Sequence, residues 1–182
     1  MKWLIASDIH GSARYCRLLL ERLEAEAADR LLLLGDLLYH GPRNDLPEGY
    51  APREVAALLA SVKERVLCVR GNCEAEVDQM VLPFPVMADY ALLPLGKHLV
   101  YATHGHHAGE DSPPPLCRGD MLLCGHTHIP KCAEHEHFVY LNPGSVSIPK
   151  GESCRSYMTL QAGCFQWKRL EGGAAYQEYR IR

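Results

Sequence analysis

The residues in this chain best suited to chemistry recur in one setting. Asp8 with His10, Asp36, Asn72, His104 with His106, and His126 with His128 each stand beside a glycine, as His10-Gly11, Gly35-Asp36, Gly71-Asn72, His104-Gly105 and Gly125-His126. All are oxygen or imidazole donors, and glycine lets a backbone come close to a ligand. Two carboxylates and several imidazoles gathered without a cation would cost several kcal/mol in desolvation and repulsion. A divalent cation removes that cost. Seven candidates (Asp8, His10, Asp36, Asn72, His104, His126 and His128) exceed what one ion takes once substrate and water are counted. Two ions sharing a bridging carboxylate are the natural partition. Oxygen and imidazole donors without thiolate suit Mn²⁺, Fe²⁺, Co²⁺, Ni²⁺ or Zn²⁺.

Those donors need elements that deliver them to one place. Residues 2–7 are a short apolar run ending in Asp8-Ile9-His10-Gly11, which predicts a buried strand with polar residues at its C-terminal end. Ser12 is a plausible N-cap for a helix to Ala28, with Tyr15, Leu19, Leu23 and Ala27 along one stripe. Residues 31–34 read as a second strand closed by Gly35-Asp36, residues 52–62 as a helix opened by Pro52, and residues 66–69 as a third strand closed by Arg70-Gly71-Asn72. Strand, helix, strand, helix, strand predicts a parallel sheet with right-handed crossovers. Past about residue 85 the helical period fades. Short runs at 90–93, 98–103, 121–124, 138–141, 156–160, 164–170 and 176–181 suggest a second, more antiparallel sheet packed on the first. The long segments 37–51 and 105–119 each follow a polar strand end and are read as functional loops.

Composition narrows the function. With 182 residues, 47% hydrophobic and 23% charged, the chain reads as one globular domain over 1–182. A net charge of −3 and no basic run longer than Lys168-Arg169 argue against duplex nucleic acid as a partner. No apolar stretch suits a membrane span or a leader, so a cytoplasmic protein is expected. Eight cysteines lack C-x-x-C spacing and read as free thiols; all but Cys73 are taken as small packing residues. His98, His135 and His137 read as surface histidines.

Taken in order, Asp8-x-His10, Gly35-Asp36, Gly71-Asn72, His104-Gly105 and Gly125-His126-Thr127-His128 resemble the calcineurin-like metallophosphoesterase family. Four further stretches are similar to its small bacterial phosphodiesterases: His40-Gly41-Pro42-Arg43-Asn44, Leu46-Pro47-Glu48-Gly49-Tyr50, Glu76-Val77-Asp78-Gln79-Met80, and the run from Asn142-Pro143-Gly144-Ser145 to Lys150. The resemblance implies an α/β fold, a four-layer α-β-β-α sandwich of two mixed sheets. It implies that Asp8, His10 and His128 hold one ion, that Asn72, His104 and His126 hold a second, and that Asp36 bridges them. The implied enzyme is a metal-dependent phosphodiesterase, with Mn²⁺ first among the candidate ions. In it a hydroxide bridging the two ions attacks a small phosphodiester in line and no phosphoenzyme forms. Phosphomonoesterase and nuclease activities of the same family are alternatives, and homo-oligomerisation is left open.

Many members of that family place a histidine directly after the asparagine to protonate the leaving group; here the position is Cys73. A thiol with a reference pKa of about 8.5 is a weaker donor than imidazolium. Asn72 and Cys73 are therefore the catalytic candidates, and Arg43, Asn44 and His106 the substrate-binding ones. His106 or His40 is an alternative proton donor. A rival from another class is a protein-binding module on the same fold, like the small retromer subunit, in which the metal centre has decayed. Such a module has no need of a full ligand set, whereas all seven positions are filled here.

Overall fold

The first strand, β1 (Lys2–Ala6), is followed by α1 (Ala13–Ala25), β2 (Arg30–Leu33), α2 (Pro52–Ala60) and β3 (Val66–Cys68). The computed structural model, which describes residues 1–181, gives physical reasons for the boundaries. Ser12 caps α1 as its chemistry predicts, its Oγ accepting from Tyr15 N at 3.3 Å. The helix ends at Ala25 rather than Ala28 because Ala27 turns left-handed (φ 46°), bringing Ala28 N within 3.2 Å of Leu23 O. Pro52 opens α2, which gives way to a 3-10 turn, Lys63–Arg65, ahead of β3.

Next come α3 (Glu76–Val81), β4 (Tyr90–Leu95), β5 (His98–Thr103), β6 (Asp120–Leu123), β7 (Lys131–Glu134), β8 (Phe138–Asn142), β9 (Ser156–Gln161), β10 (Cys164–Arg169) and β11 (Ala175–Arg180). Two of these carry no pattern that sequence reading could use. None of the residues of α3 is buried, and β7 (Lys-Cys-Ala-Glu) has exposed charged ends around half-buried centres.

One sheet runs in the order β11-β10-β9-β1-β2-β3 and the other β4-β5-β6-β8-β7. Both are mixed, as expected, but they do not divide the chain into halves. The last three strands return to the first sheet, β9 lying antiparallel to β1 with Lys2 opposite Gln161, and the second sheet contains the parallel pairs β5 with β6 and β6 with β8. The reason lies in β1, whose Leu4, Ile5 and Ala6 are fully buried. A strand so enclosed needs a partner on both edges, because an unpaired backbone N–H or C=O there would cost about as much as a lost hydrogen bond.

Alternation along the first sheet separates two cores. Leu4, Ala6, Leu31 and Leu33 face Tyr15, Leu19 and Leu23 of α1 and Val55 and Leu59 of α2. Ile5, Leu32 and Leu34 face the opposite way, against Val100, Ala102, Met121, Leu123 and Leu141 of the second sheet. Each fully buried leucine contributes roughly 2 kcal/mol. The outer side of the second sheet, Leu122, Cys124, Phe138 and Tyr140, is covered by Leu116 from segment 105–119. The outermost layer there is irregular chain without a helix. Among the described residues, no helix is long and apolar enough to cross a membrane.

Candidate metal centre

The parallel strands of both sheets end at one rim. Ladder hydrogen bonds continue past the strands as Asp8 N to Gly35 O (3.1 Å), His10 N to Asp36 O (2.9 Å) and Gly125 N to His104 O (2.9 Å), so the turns that carry the donors are an extension of the sheets. Within them Asp8, His10, Asp36, His126 and His128 have φ of 59°, 49°, 55°, 65° and 62°. Left-handed backbone costs a residue with a side chain on the order of 1 kcal/mol, and Asp, Asn and His are among the types that tolerate it. Five such residues at one place are stored strain of the kind that gathers at functional sites. Two glycines serve close approach. A Cβ on Gly71 would lie 2.2 Å from Asp36 Oδ1, and one on Gly125 would lie 1.9 Å from Ser7 Oγ.

Side-chain geometry then decides which atoms face inward. His10 Nδ1 donates to Tyr39 O (2.8 Å), His128 Nδ1 to Ile148 O (2.6 Å) and His104 Nδ1 to Leu34 O (2.6 Å). With the proton held on Nδ1, each Nε2 presents a lone pair. Yet His10 Nε2 lies 3.1 Å from His128 Nε2, and His104 Nε2 lies 3.1 Å from Asn72 Oδ1. Acceptor facing acceptor at that distance is repulsive unless a cation or a proton lies between them. His126 Nδ1 sits 3.2 Å from the same His104 nitrogen. Asp8 Oδ1 is buried without a hydrogen-bond partner, 3.3 Å from His128 Nε2 and 3.6 Å from His10 Nε2. Asp36 Oδ2 is 3.7 Å from His10 Nε2 and 3.5 Å from His104 Nε2, a position between the two sets. Ligand atoms of Asp8, His10 and His128, and again of Asp8, Asp36 and His104, all lie within 4.8 Å of one another. An orphaned carboxylate oxygen and facing imidazole lone pairs are what divalent ions would satisfy, so the donor set fits them.

Electrostatics points the same way. Burial alone would raise the Asp8 carboxyl, but the imidazoles of His10 and His128 outweigh it and hold it well below the usual range. For Asp36 the burial is likewise overcome, chiefly by His104. His104 itself, pushed down by burial and up by Asp36, ends raised to about 9. In the absence of an ion, a proton shared by His104 and Asp36 does part of a cation's work.

The structure brings all seven ligand candidates to this rim and separates the other predicted residues. Arg43, Asn44, Asn72 and Cys73 line the open cleft of about 40 Å³ with Asp36, His126 and His128. Asn44 directs its Nδ2 to His40 O (2.7 Å), so it holds a turn as well as facing the cleft. His106 packs beside His104 and His126, with ring centroids 5.3 and 6.2 Å away, but is not among the residues lining the cleft. Burial, then the neighbouring His104, lowers it to about 4, so its ring is neutral. His40 is wedged between Tyr39 and Tyr50. Cys73 Sγ lies within 4.8 Å of ligand atoms of His10 and Asp36, and burial followed by the Asp36 charge pushes its thiol well up.

Sequence reading missed the supports. Glu74 is 4% exposed and accepts from three backbone N–H groups: Gly71 (2.5 Å) and Asp36 (2.9 Å) on Oε2, and Leu37 (2.7 Å) on Oε1. It ties the turn of Asn72 to the turn of Asp36. Ser145 and Ser147 both donate to Asp8 O, at 2.9 and 3.0 Å. Lys150, another cleft residue, has its backbone N 3.3 Å from His128 O. A glutamate two residues after Asn72 gave a signal only in hindsight, since its partners are main-chain groups invisible in the sequence.

Residues 1–163 match the calcineurin-like phosphoesterase superfamily domain. The chain is 48% identical over 160 residues to phosphodiesterase YfcE of Escherichia coli K12, covering 88% of this chain and 87% of that protein. It is 26% identical over 167 residues to the probable metallophosphoesterase YsnB of Bacillus subtilis, covering 88% and 83%. The solved structure of the E. coli phosphoesterase YfcE superposes with a TM-score of 0.96 over the whole of both chains at 43% identity. Vps29 of Entamoeba histolytica complexed with Zn²⁺ superposes at 0.59 with 19% identity, a likeness of fold alone.

Proposed function

Because the chain belongs to the calcineurin-like phosphoesterase superfamily, and is a phosphoesterase, we propose that it hydrolyses small phosphodiesters using two divalent ions, Mn²⁺ first among them. The carrying observation is the pair of imidazole lone pairs, His10 Nε2 and His128 Nε2, fixed 3.1 Å apart beside the unpartnered Asp8 Oδ1. In this reading Asp8, His10 and His128 would hold one ion, Asn72, His104 and His126 the other, and Asp36 would serve both. Bound there, the ions would supply a water of near-neutral pKa as nucleophile and positive charge for the phosphoryl oxygens.

The chain's own residues set the rest. Three imidazoles are locked by the carbonyls of Tyr39, Ile148 and Leu34, so the ligand sphere needs little reorganisation. Asn72 and His126, on the open side, border the space where a phosphoryl group sits. Cys73 stands where a proton donor would act, and its raised thiol holds its proton too firmly to give it readily. Esters whose leaving oxygen departs without protonation therefore suit the site, and aryl diesters suit it best. The reading takes residues 1–182 as one domain, working in the cytoplasm. A protein-binding module would have no use for this complete ligand set.

The test is hydrolysis of bis(4-nitrophenyl) phosphate by purified protein, before and after chelation and with Mn²⁺ restored. Turnover should vanish on chelation and return with the metal. Full turnover in metal-stripped protein would sink the proposal.

A further inference from the structure

The cleft opens to solvent, and its rim carries two exposed cations. Arg43 and Lys150 both line the cleft, and neither has a side-chain hydrogen bond or ion pair among the described residues. Several arginines and lysines elsewhere on the surface are matched, as in Arg14 with Glu48, Arg17 with Glu54 and Lys131 with Glu110, while, among the described residues, Arg53, Lys97 and Arg118 are not; what sets Arg43 and Lys150 apart is that they line this cleft. Among the residues lining the cleft the only carboxylate is Asp36, already committed to the imidazoles.

The two cations are placed from different walls. Arg43 rides on the turn whose Asn44 side chain bonds His40 O, and this turn lies against Cys73, since a Cβ on Gly41 would be 3.4 Å from its Sγ. Lys150 starts beside His128, through its backbone N. A charge count then separates substrate classes. With two divalent ions bound, the carboxylates of Asp8 and Asp36, the hydroxide nucleophile and a singly charged diester already cancel the ionic charge. Arg43 and Lys150 are surplus to that balance, and unpaired cations at the mouth of a cleft favour a ligand that brings more negative charge.

We propose, building on the phosphodiesterase reading, that Arg43 and Lys150 select diesters carrying a second anionic group, a phosphate or carboxylate, a short distance from the scissile phosphate. Phosphate oxygens suit both partners, bidentate on the guanidinium and as a point charge on the ammonium.

A pair of substrates with one leaving group tests this: thymidine 5′-(4-nitrophenyl phosphate) and the same compound bearing a 3′-phosphate. For the Mn²⁺-loaded protein, the 3′-phosphate should lower KM by roughly tenfold at low salt, the size expected of two charge-assisted contacts in a half-open cleft, and the advantage should shrink in 0.5 M salt. In the R43M/K150M double variant the ratio of the two KM values should fall to about one. Calorimetry provides a readout that does not depend on turnover: thymidine 3′,5′-bisphosphate should bind more tightly than thymidine 5′-monophosphate, and the double variant should lose that preference. Both side chains are exposed, so the variant should fold. Equal KM values for the two esters in the parent protein, with bis(4-nitrophenyl) phosphate still hydrolysed, would overturn the selection and leave the diesterase reading standing. Failure to hydrolyse any diester would overturn that reading instead, and the calorimetric preference, present or absent, would then decide the role of the cations.

Discussion

The donors around His10 and those around His104 are alike in chemistry but held under different restraint. Asp8, His10 and His128 are 0%, 1% and 2% exposed, with both imidazoles bonded to carbonyls and the Asp8 carbonyl held by two serine hydroxyls. In the other set only His104 is sealed; Asn72 is exposed and His126 half-buried, with its Nδ1 facing His104 rather than a carbonyl. One half is a rigid socket and the other a wall shared with solvent and substrate. Fixed ligands bind an ion with less ordering cost, so in the proposed two-ion centre the socket should hold its ion the more tightly and the open half should release its own first.

Substitution of the group between the halves should have the largest effect. Asp36→Asn removes the charge that both share, and turnover should fall by orders of magnitude with at least one ion lost while circular dichroism is preserved. Two tightly held ions in an active Asp36→Asn protein would break the picture of a shared carboxylate.

The next comparison separates the halves. By metal analysis after dialysis, His126→Ala should keep one ion and His128→Ala should keep less than one, because the second change opens the socket. The reverse order would show that burial does not rank the two affinities. Their supports should follow at a smaller scale. Ser145→Ala loosens the Asp8 carbonyl and Glu74→Gln the turns of Asp36 and Asn72, each costing about 10- to 100-fold in metal affinity. Titration should show the serine change weakening the tighter ion and the glutamate change the looser one.

Proton counting gives a further check. Since the metal-free His104 is raised to about 9, it is protonated near pH 7, and an ion must displace that proton. Apparent affinity of the open half should therefore rise with pH, by about tenfold per unit for one proton released, and level off above pH 9. A flat profile between pH 7 and 9 would remove His104 from the ligand set or from its pairing with Asp36. The smallest effect is assigned to Cys73→Ala, which should change aryl-diester turnover by less than about twofold, because the thiol is a poor acid. Loss of most activity with both ions bound would give Cys73 a direct role.

What the sequence disclosed and what it hid follow from the range of the interactions concerned. Glycine-flanked donors at the ends of apolar runs were visible because strand, turn and ligand are neighbours in the chain. The return of β9 to β1, the carboxylate of Glu74 reaching Leu37, and the hydroxyls of Ser145 and Ser147 on Asp8 were not, since each joins residues far apart and ends on backbone atoms that carry no sequence signature. Left-handed φ at Asp8, His10, Asp36, His126 and His128 was equally hidden: the adjacent glycines advertised tight turns, but the strain sits on the donor residues themselves. The same limit hides the cover of the second sheet, where segment 105–119 lies over Leu122 and Tyr140 as irregular chain.

The clasp on Asp8 also sets a timetable for folding. Asp8 is made before the hydroxyls that hold its carbonyl, which come 137 and 139 positions later, and before the strand that completes the sheet beside β1, which comes later still. Contacts this distant in sequence are slow to form, because the loop between them must be closed before they return any stabilisation. A nascent chain that has exposed Asp8, His10 and Asp36 therefore carries donors without a socket, open to whatever ion is at hand, until the stretch from Ser145 to Gln161 emerges and closes it. Slowing elongation just ahead of Ser145 should prolong that interval, and a fast run through it should shorten it.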